Sequence, residues 1–376
     1  MPINQPEWLR KLLNPFNHHP TAPAPRRPYV AAQIEVTSRC YTECVFCAQP
    51  ALGEQWISGD LPLEVYRQHI VPHLDQFDLV YLQGWGEPLL HPHLWEMLEL
   101  AHGRGCRTGF TTNGMLLGAA NRQRLLDQQV ELLSISLAGA CVTTHQNLRR
   151  NTRFEVITKR VSALQELKQA QGTKYPTLEL HFLMTRANLA ELPDFVRLAA
   201  RLGADEAVAT NLTYTPTPDQ EAQRVFSAHP EPADLRIVEQ ARQAAEQSGL
   251  RFNVYPLEMV GQVMMCDANP LETAFINHLG QVTPCVYLGL STHGEIPRYF
   301  LGESQPTERV DFGNVRQGLA AAMQGEGRRQ FCQAFQQRNV TANPLSAFSA
   351  LAGVSADEAL PLPPEPCRAC YKMYGV

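Results

Sequence analysis

At 376 residues the chain exceeds what one small module needs, and at about 150 residues per domain two or three domains are expected. Hydrophobic residues at 44% and charged residues at 18% exclude a disordered or collagen-like chain. Thirty-two basic and 37 acidic residues leave a net charge of -5, which provides no basic field for nucleic acid.

Residues 1 to about 29 hold a short amphipathic piece (Trp8, Leu9, Leu12, Leu13, Phe16) and then Pro15, Pro20, Pro23, Pro25 and Pro28. Proline without a backbone donor predicts an extended, Pro-rich arm. No apolar run reaches signal-peptide or membrane-spanning length, so a cytoplasmic protein with no membrane partner is expected. In that reducing setting, closely spaced cysteines favour metal or cluster ligation over disulfides.

From about 30 to 256, short apolar runs alternate with amphipathic helical patterns. Strands are predicted near 31-37, 78-84, 107-112, 131-137, 176-184 and 206-213, with helices near 63-73, 91-103, 154-170, 190-202 and 232-248. Repeated βα units predict a mainly parallel sheet, hence an α/β chain built as a partial (β/α)6 barrel with a further strand at 252-256. Beyond 257 the rhythm fails. Residues 257-376 carry five of the ten cysteines and predict a small, irregular, metal-organised domain. Pro344, Pro361, Pro363, Pro364 and Pro366 predict an extended connector before the final cysteine pair.

The segment EVTSRCYTECVFCAQP places Cys40, Cys44 and Cys47 just beyond the first strand. Three thiolates would leave one iron of a four-iron cluster open to a small molecule. A structural zinc would need a fourth ligand, for which His91 or His93 stand as candidates. Downstream, Cys266, Cys285 (after GQVTP), Cys367 and Cys370 complete a second set. By spacing alone, four thiolates suit tetrahedral zinc as well as a cluster. Cys332 sits in a helical pattern and reads as a packing thiol that could substitute as a ligand. Cys106 and Cys141 match no ligand spacing.

C-x3-C-x2-C after the first strand, with Phe46 before the last cysteine, resembles the radical SAM superfamily over roughly residues 30 to 256. The resemblance implies that S-adenosylmethionine (SAM) chelates the open iron of a [4Fe–4S] cluster and is cleaved by one electron to a 5'-deoxyadenosyl radical. Gly84, Gly86 and Glu87 of QGWGEP are similar to the family's Gly-Gly-Glu element, with Trp85 intervening; Glu87 would face the ligand's ammonium group. TTNG at 111-114 resembles the family's third strand end. The resemblance also implies that Ser136, which shares a strand face with Ser134, contacts the ribose or methionine portion. Arg149, or Arg150 in exchange, would bind the methionine carboxylate. The terminal C-x2-C looks like a twitch domain, the short form of a SPASM domain, and implies one auxiliary [4Fe–4S] cluster on Cys266, Cys285, Cys367 and Cys370.

Alternation places Glu35, Gln83, Glu179 and His181 opposite apolar neighbours, so a polar lumen is expected. Glu179 and His181 are candidate substrate contacts, with Tyr214 and Arg186 near strand ends. The expected function is an oxidoreductase-like radical SAM enzyme that oxidises or rearranges a small polar metabolite or cofactor precursor. Maturation of a ribosomal peptide is the alternative, and a ferredoxin-type carrier or zinc protein the non-enzymatic one. A ferredoxin or flavodoxin would supply electrons.

Overall fold

The structure, a computed structural model, describes residues 27–341 and 360–376. The amphipathic piece at 8–16, the arm's first four prolines and Pro344 lie outside the described residues. Nine strands form one sheet: β1 Tyr29–Ile34, β2 Phe77–Tyr81, β3 Arg107–Thr112, β4 Leu132–Leu137, β5 Thr177–Met184, β6 Glu206–Asn211, β7 Arg251–Val254, β8 Thr273–Ile276 and β9 Val282–Thr283. Their spatial order is β9-β8-β1-β2-β3-β4-β5-β6-β7. Every neighbouring pair is parallel except the antiparallel β8–β9 hairpin.

Parallel pairing forces long crossovers, and helices supply them. They include α1 Leu94–Gly103, α2 Ala119–Asp127, α3 Phe154–Gln171, α4 Leu192–Arg201 and α5 Pro232–Ser248. Strand β5 shows how the sequence sets the two faces. Leu178, Leu180, Phe182 and Met184 are fully buried against the helical layer. Phe182 packs against Phe195 of α4 with ring centroids 4.8 Å apart and the planes tilted. Glu179 and His181 therefore face the concave side, because successive strand side chains alternate. The predicted helix at 63-73 is irregular: a short α segment at Leu63–Val65 leads into a π turn at Tyr66–Ile70 and a 3-10 segment at Val71–Gln76. Pro72 cannot donate into an α-helical ladder, which accounts for the change of winding.

The sheet runs past residue 257, where a separate small domain was expected. Strand β8 pairs in parallel with β1 through Ala31–Thr273 to Ile34–Ile276. Val282 of β9 and Val315, Leu319, Ala322 and Met323 of α6 (Val315–Gln324) join the main core. The C-terminal segment is thus also part of the barrel wall. The sheet stays open between its two edge strands, β7 and β9. No helix among the described residues is long and apolar enough to cross a membrane.

Candidate functional site

The cysteine loop leaves β1 and is pinned from two sides. A two-residue antiparallel ladder pairs Cys44 with Arg149 and Glu43 with Arg150. Gln220 Nε2 donates to the carbonyls of Val45 (3.0 Å) and Cys47 (3.1 Å). Cys40, Cys44 and Cys47 line one cavity of about 300 Å³ at the mouth of the barrel, together with Phe46. Burial pushes the Cys40 thiol up, and burial with the neighbouring Cys44 pushes Cys47 up to about 12. Thiols raised in this way, as Cys40 and Cys47 are, favour the thiolate when a cation lies beside them, as a cluster iron would provide. His91 and His93 do not join them. His91 Nε2 faces the Leu61 carbonyl at 3.0 Å, its Nδ1 accepts from the His93 amide at 3.1 Å, and His93 lies beside Glu96.

The QGWGEP loop crosses under β1 so closely that glycine is required. A Cβ on Gly84 would stand 2.4 Å from that of Glu35, and one on Gly86 would stand 2.2 Å from the Thr37 carbonyl oxygen. Glu87 is 2% exposed and braces the next loop. Its Oε1 accepts from Thr112 Oγ1 (2.7 Å) and the Leu89 amide (3.2 Å), and its Oε2 accepts from the Asn113 amide (2.7 Å). Three of about four acceptor positions are thus taken by the chain itself, leaving one toward the cavity. Replacing Glu87 by Ala is expected to weaken SAM binding about tenfold to a hundredfold, equivalent to roughly 1.5–3 kcal/mol for a charged hydrogen bond, with iron content unchanged. Equilibrium dialysis with labelled SAM would check this; an unchanged dissociation constant would remove Glu87 from the site.

Three buried polar atoms on this cavity wall lack a partner: Asn113 Nδ2, Arg149 Nε and Asn211 Oδ1. The Asn113 assignment is fixed by its other end, because Oδ1 accepts from Tyr41 OH (3.0 Å) and the Met115 amide (2.9 Å). Two donors and one acceptor, unsatisfied beside three thiols, fit a zwitterionic ligand such as SAM. Asn113 falls in the TTNG element read from the sequence; Asn211 was missed there, because a lone Asn ending a strand has no distinguishing pattern. Ser136 lines the same cavity. So does Arg149, whose guanidinium lies 5.9 Å from the Phe46 ring, whereas Arg150 is exposed.

Arg149 is held from behind by His145, which is fully buried. The Ala138 amide donates to His145 Nδ1 (3.3 Å), Nε2 meets Thr152 Oγ1 (3.1 Å), and that hydroxyl donates to the Arg149 carbonyl. Burial, with the Arg149 charge as a lesser cause, brings the His145 imidazole from its ordinary 6.5 down to about 3. The unfolded chain therefore binds a proton that the folded chain refuses. Stability contributed by neutral His145 is complete above pH 6.5 and is lost as pH falls from there toward 3. The expected result is an acid-side decline in melting temperature that a His145→Gln variant shows less steeply.

The second set gathers where β7 and β9 fail to meet. Cys285 follows β9, Cys266 precedes β8, and Cys367 and Cys370 share a turn in which the Cys370 amide donates to the Cys367 carbonyl at 3.2 Å. Burial and then the other three cysteines push Cys367 well up; burial pushes Cys285 up to about 11. The four are mutual neighbours, and Cys266, Cys285 and Cys367 share one apolar surround with Leu288, Phe335 and Met373. Among the described residues no three His, Cys, Asp or Glu side chains gather as a single metal ion would need; each thiolate of a four-iron cluster meets its own iron atom. Cys332 lies apart, its thiol facing the Pro270 carbonyl at 3.5 Å. Cys106 is buried and receives a hydrogen bond from Arg27, and Cys141 is exposed.

Between the two sets the lumen continues as a second cavity of about 400 Å³. Gln33, Gln83, Thr111, Val286 and Tyr287 line both cavities. Glu179 and His181 face the second, His181 Nε2 standing 3.0 Å from Glu179 Oε2, which also accepts from Ser134 Oγ at 2.8 Å. Burial alone would raise the Glu179 carboxyl; His181 and Ser134 bring it below the ordinary range. Cys285 and Lys372 close the opposite wall. Glu35 departs from the expectation of a lumen residue. It is 1% exposed, accepts from the Trp85 amide at 2.9 Å and faces His278 Nδ1 at 3.0 Å. Its strand phase is the one expected, but it lies beyond the last residue of β1, where the loops cover it. Arg186 pairs with Asp234 and lines neither cavity. Tyr214 lines the upper one, stacked on Tyr287 at 5.3 Å and edge-on to Trp85 at 5.4 Å.

An open parallel barrel with three thiols and unsatisfied ligand groups at its mouth defines the class. The family model described as Radical SAM superfamily matches residues 34–206, and these residues form a radical SAM domain. The cofactors of that family are a [4Fe–4S] cluster and SAM, for which the mouth of the barrel carries a fitting donor set. The tungsten-containing aldehyde ferredoxin oxidoreductase cofactor-modifying protein of Pyrococcus furiosus is 26% identical over 289 residues, covering 76% of this chain and 77% of that protein. Mycofactocin maturase MftC of Mycobacterium tuberculosis is 29% identical over 171 residues, 45% of this chain; the chain spans only 41% of the maturase. SuiB of Streptococcus suis, solved with bound SAM, shares the fold with a TM-score of 0.55 at 17% identity, covering 75% of this chain and 63% of SuiB.

Proposed function

We propose that the chain is a two-cluster radical SAM enzyme that oxidises or rearranges a small polar metabolite or cofactor precursor held in the lumen. The observation that carries this reading is the lower cavity, which shares Gln33, Gln83, Thr111, Val286 and Tyr287 with the mouth and sets the polar side chains of Glu179, His181, Tyr81 and Lys372 among apolar walls. When bound, the cluster and SAM supply a 5'-deoxyadenosyl radical as the hydrogen-abstracting agent. Cys40, Cys44 and Cys47 would hold the cluster. Arg149 and Asn113 would bind the acceptor end of SAM, and the free lone pair of Glu87 would receive its ammonium group. Ser136 would contact the ribose or methionine portion, and Asn211, with its unpartnered Oδ1, would accept from the same ligand. Glu179 and His181 would orient the substrate through hydrogen bonds, with Ser134 and Tyr81 fixing the carboxylate.

Residues 257–376 would add an auxiliary [4Fe–4S] cluster on Cys266, Cys285, Cys367 and Cys370. A ferredoxin or flavodoxin would reduce the enzyme. The name of the Pyrococcus furiosus relative supports a cofactor precursor as substrate, since that alignment covers most of both chains. The maturase MftC supports a peptide substrate instead, through a partial match.

The test is to reconstitute the protein anaerobically and measure iron, then 5'-deoxyadenosine formation with a chemical reductant. About eight iron atoms per chain are expected for two four-iron clusters. A small-molecule ultrafiltrate of the source cells should accelerate 5'-deoxyadenosine formation in the parent and fail to do so in Glu179→Gln. Acceleration only by the peptide-containing retentate would replace the metabolite reading with the peptide one.

A further inference from the structure

Two arginines beside the C-terminal thiols are buried without a carboxylate. Arg298 is 6% exposed and Arg338 is fully buried, and among the described residues neither forms an ion pair. Arg338 spends its guanidinium on backbone carbonyls: Nε reaches Met264 at 3.3 Å, Nη2 reaches Val263 at 2.6 Å, and Nη1 bonds the Pro361 carbonyl. These carbonyls belong to the segments that lead into Cys266 and Cys367. Arg298 Nη1 donates to the carbonyl of Pro366, the residue before Cys367, at 2.9 Å, while its buried Nε has no acceptor. The third nearby cation, Lys372, is already matched by Asp267.

A charge taken out of water without a counter-charge is strongly disfavoured. Carbonyl dipoles solvate Arg338 but cancel no charge, and Arg298 lacks even a full set of acceptors. Four neutral thiols would leave both guanidiniums uncompensated, whereas four thiolates around iron form a net anion. We propose that Arg298 and Arg338 are the fixed counter-charges of the C-terminal cluster and favour its reduced state. This rests on the auxiliary-cluster reading above. Reduction adds one negative charge to the cluster, and a fixed cation in a poorly polarisable surround stabilises the more negative form. The cluster is thereby easier to reduce than its thiolates alone would make it, as a site that takes up single electrons requires.

Arg298 is the position to test, because Arg338 also ties three chain segments together. In the full chain with Cys40, Cys44 and Cys47 replaced by Ala, only the C-terminal set can hold iron. This parent, R298M and R298K are reconstituted, assayed for iron and zinc, and titrated electrochemically with the reduced cluster followed by electron paramagnetic resonance. R298M should retain iron yet shift the reduced-to-oxidised ratio at least about tenfold toward oxidised, a midpoint lower by about 59 mV for a one-electron couple. R298K should stay near the parent, since it restores the charge without the planar fork. An unchanged midpoint in iron-loaded R298M overturns the proposal and leaves the auxiliary cluster standing. A parent holding stoichiometric zinc or no iron overturns both.

Discussion

Replacing Cys40, Cys44 and Cys47 together by Ala is expected to abolish 5'-deoxyadenosine formation, down to the level of a reaction without protein. On the proposed reading the three thiols would be the iron donors at the mouth of the barrel, and neither His91 nor His93 is free to substitute. His91 is bonded at both ring nitrogens and His93 stands outside the cavity. Loss of the chelating iron removes the reducing electron and the anchor for SAM in one step. The barrel itself should survive, because none of the three belongs to the main apolar core. Circular dichroism of the variant is therefore the control, and mass spectrometry of the nucleoside the readout. Undiminished product in a folded variant would refute radical SAM chemistry at this site.

The first cysteine set was legible because its three members fall within eight residues of one loop, and short spacing survives any uncertainty about the fold. Strands β1 to β7 were legible for a related reason: βα repetition supplies a long pattern, and alternation as in β5 assigns each face. What failed was information held at long range. Glu35 carries the right strand phase for the lumen, but its partner His278 lies 243 positions away, and nothing local announces the pairing. Strand β8 is four residues long, too short to show a period, so its place beside β1 could not be read and the C-terminal segment looked separate. Helix α2 was missed because its only buried side chains are the adjacent pair Leu125 and Leu126, which trace no helical stripe. The choice between Arg149 and Arg150 needed the two-residue ladder with Glu43–Cys44, which turns one side chain inward and the other outward.

Replacing Cys367 and Cys370 by Ala is expected to abolish substrate turnover while leaving some uncoupled cleavage of SAM. The two cysteine sets sit on different parts of the chain. The N-terminal set, Glu87 and Arg149 occupy the mouth between the ends of β1 and β4, without a ligand from the last ten residues. Cys285, by contrast, lines the lower cavity, and Trp85 Nε1 donates to the Val286 carbonyl at 3.2 Å, so the C-terminal segment forms the wall against which a substrate would rest. If Cys367 and Cys370 hold the proposed auxiliary cluster, that wall would lose its organising centre without them, since metal-binding energy in an irregular segment is folding energy. The effect on stability is also expected to reach the barrel, because β8 pairs directly with β1. A lower melting temperature with the far-ultraviolet spectrum retained would therefore accompany the loss of turnover. A folded variant holding only the N-terminal cluster that still converts substrate at the parent rate would assign the C-terminal set a purely structural part. A variant that loses 5'-deoxyadenosine formation altogether would show instead that the C-terminal segment between β7 and β9 is needed to keep the mouth of the barrel in shape.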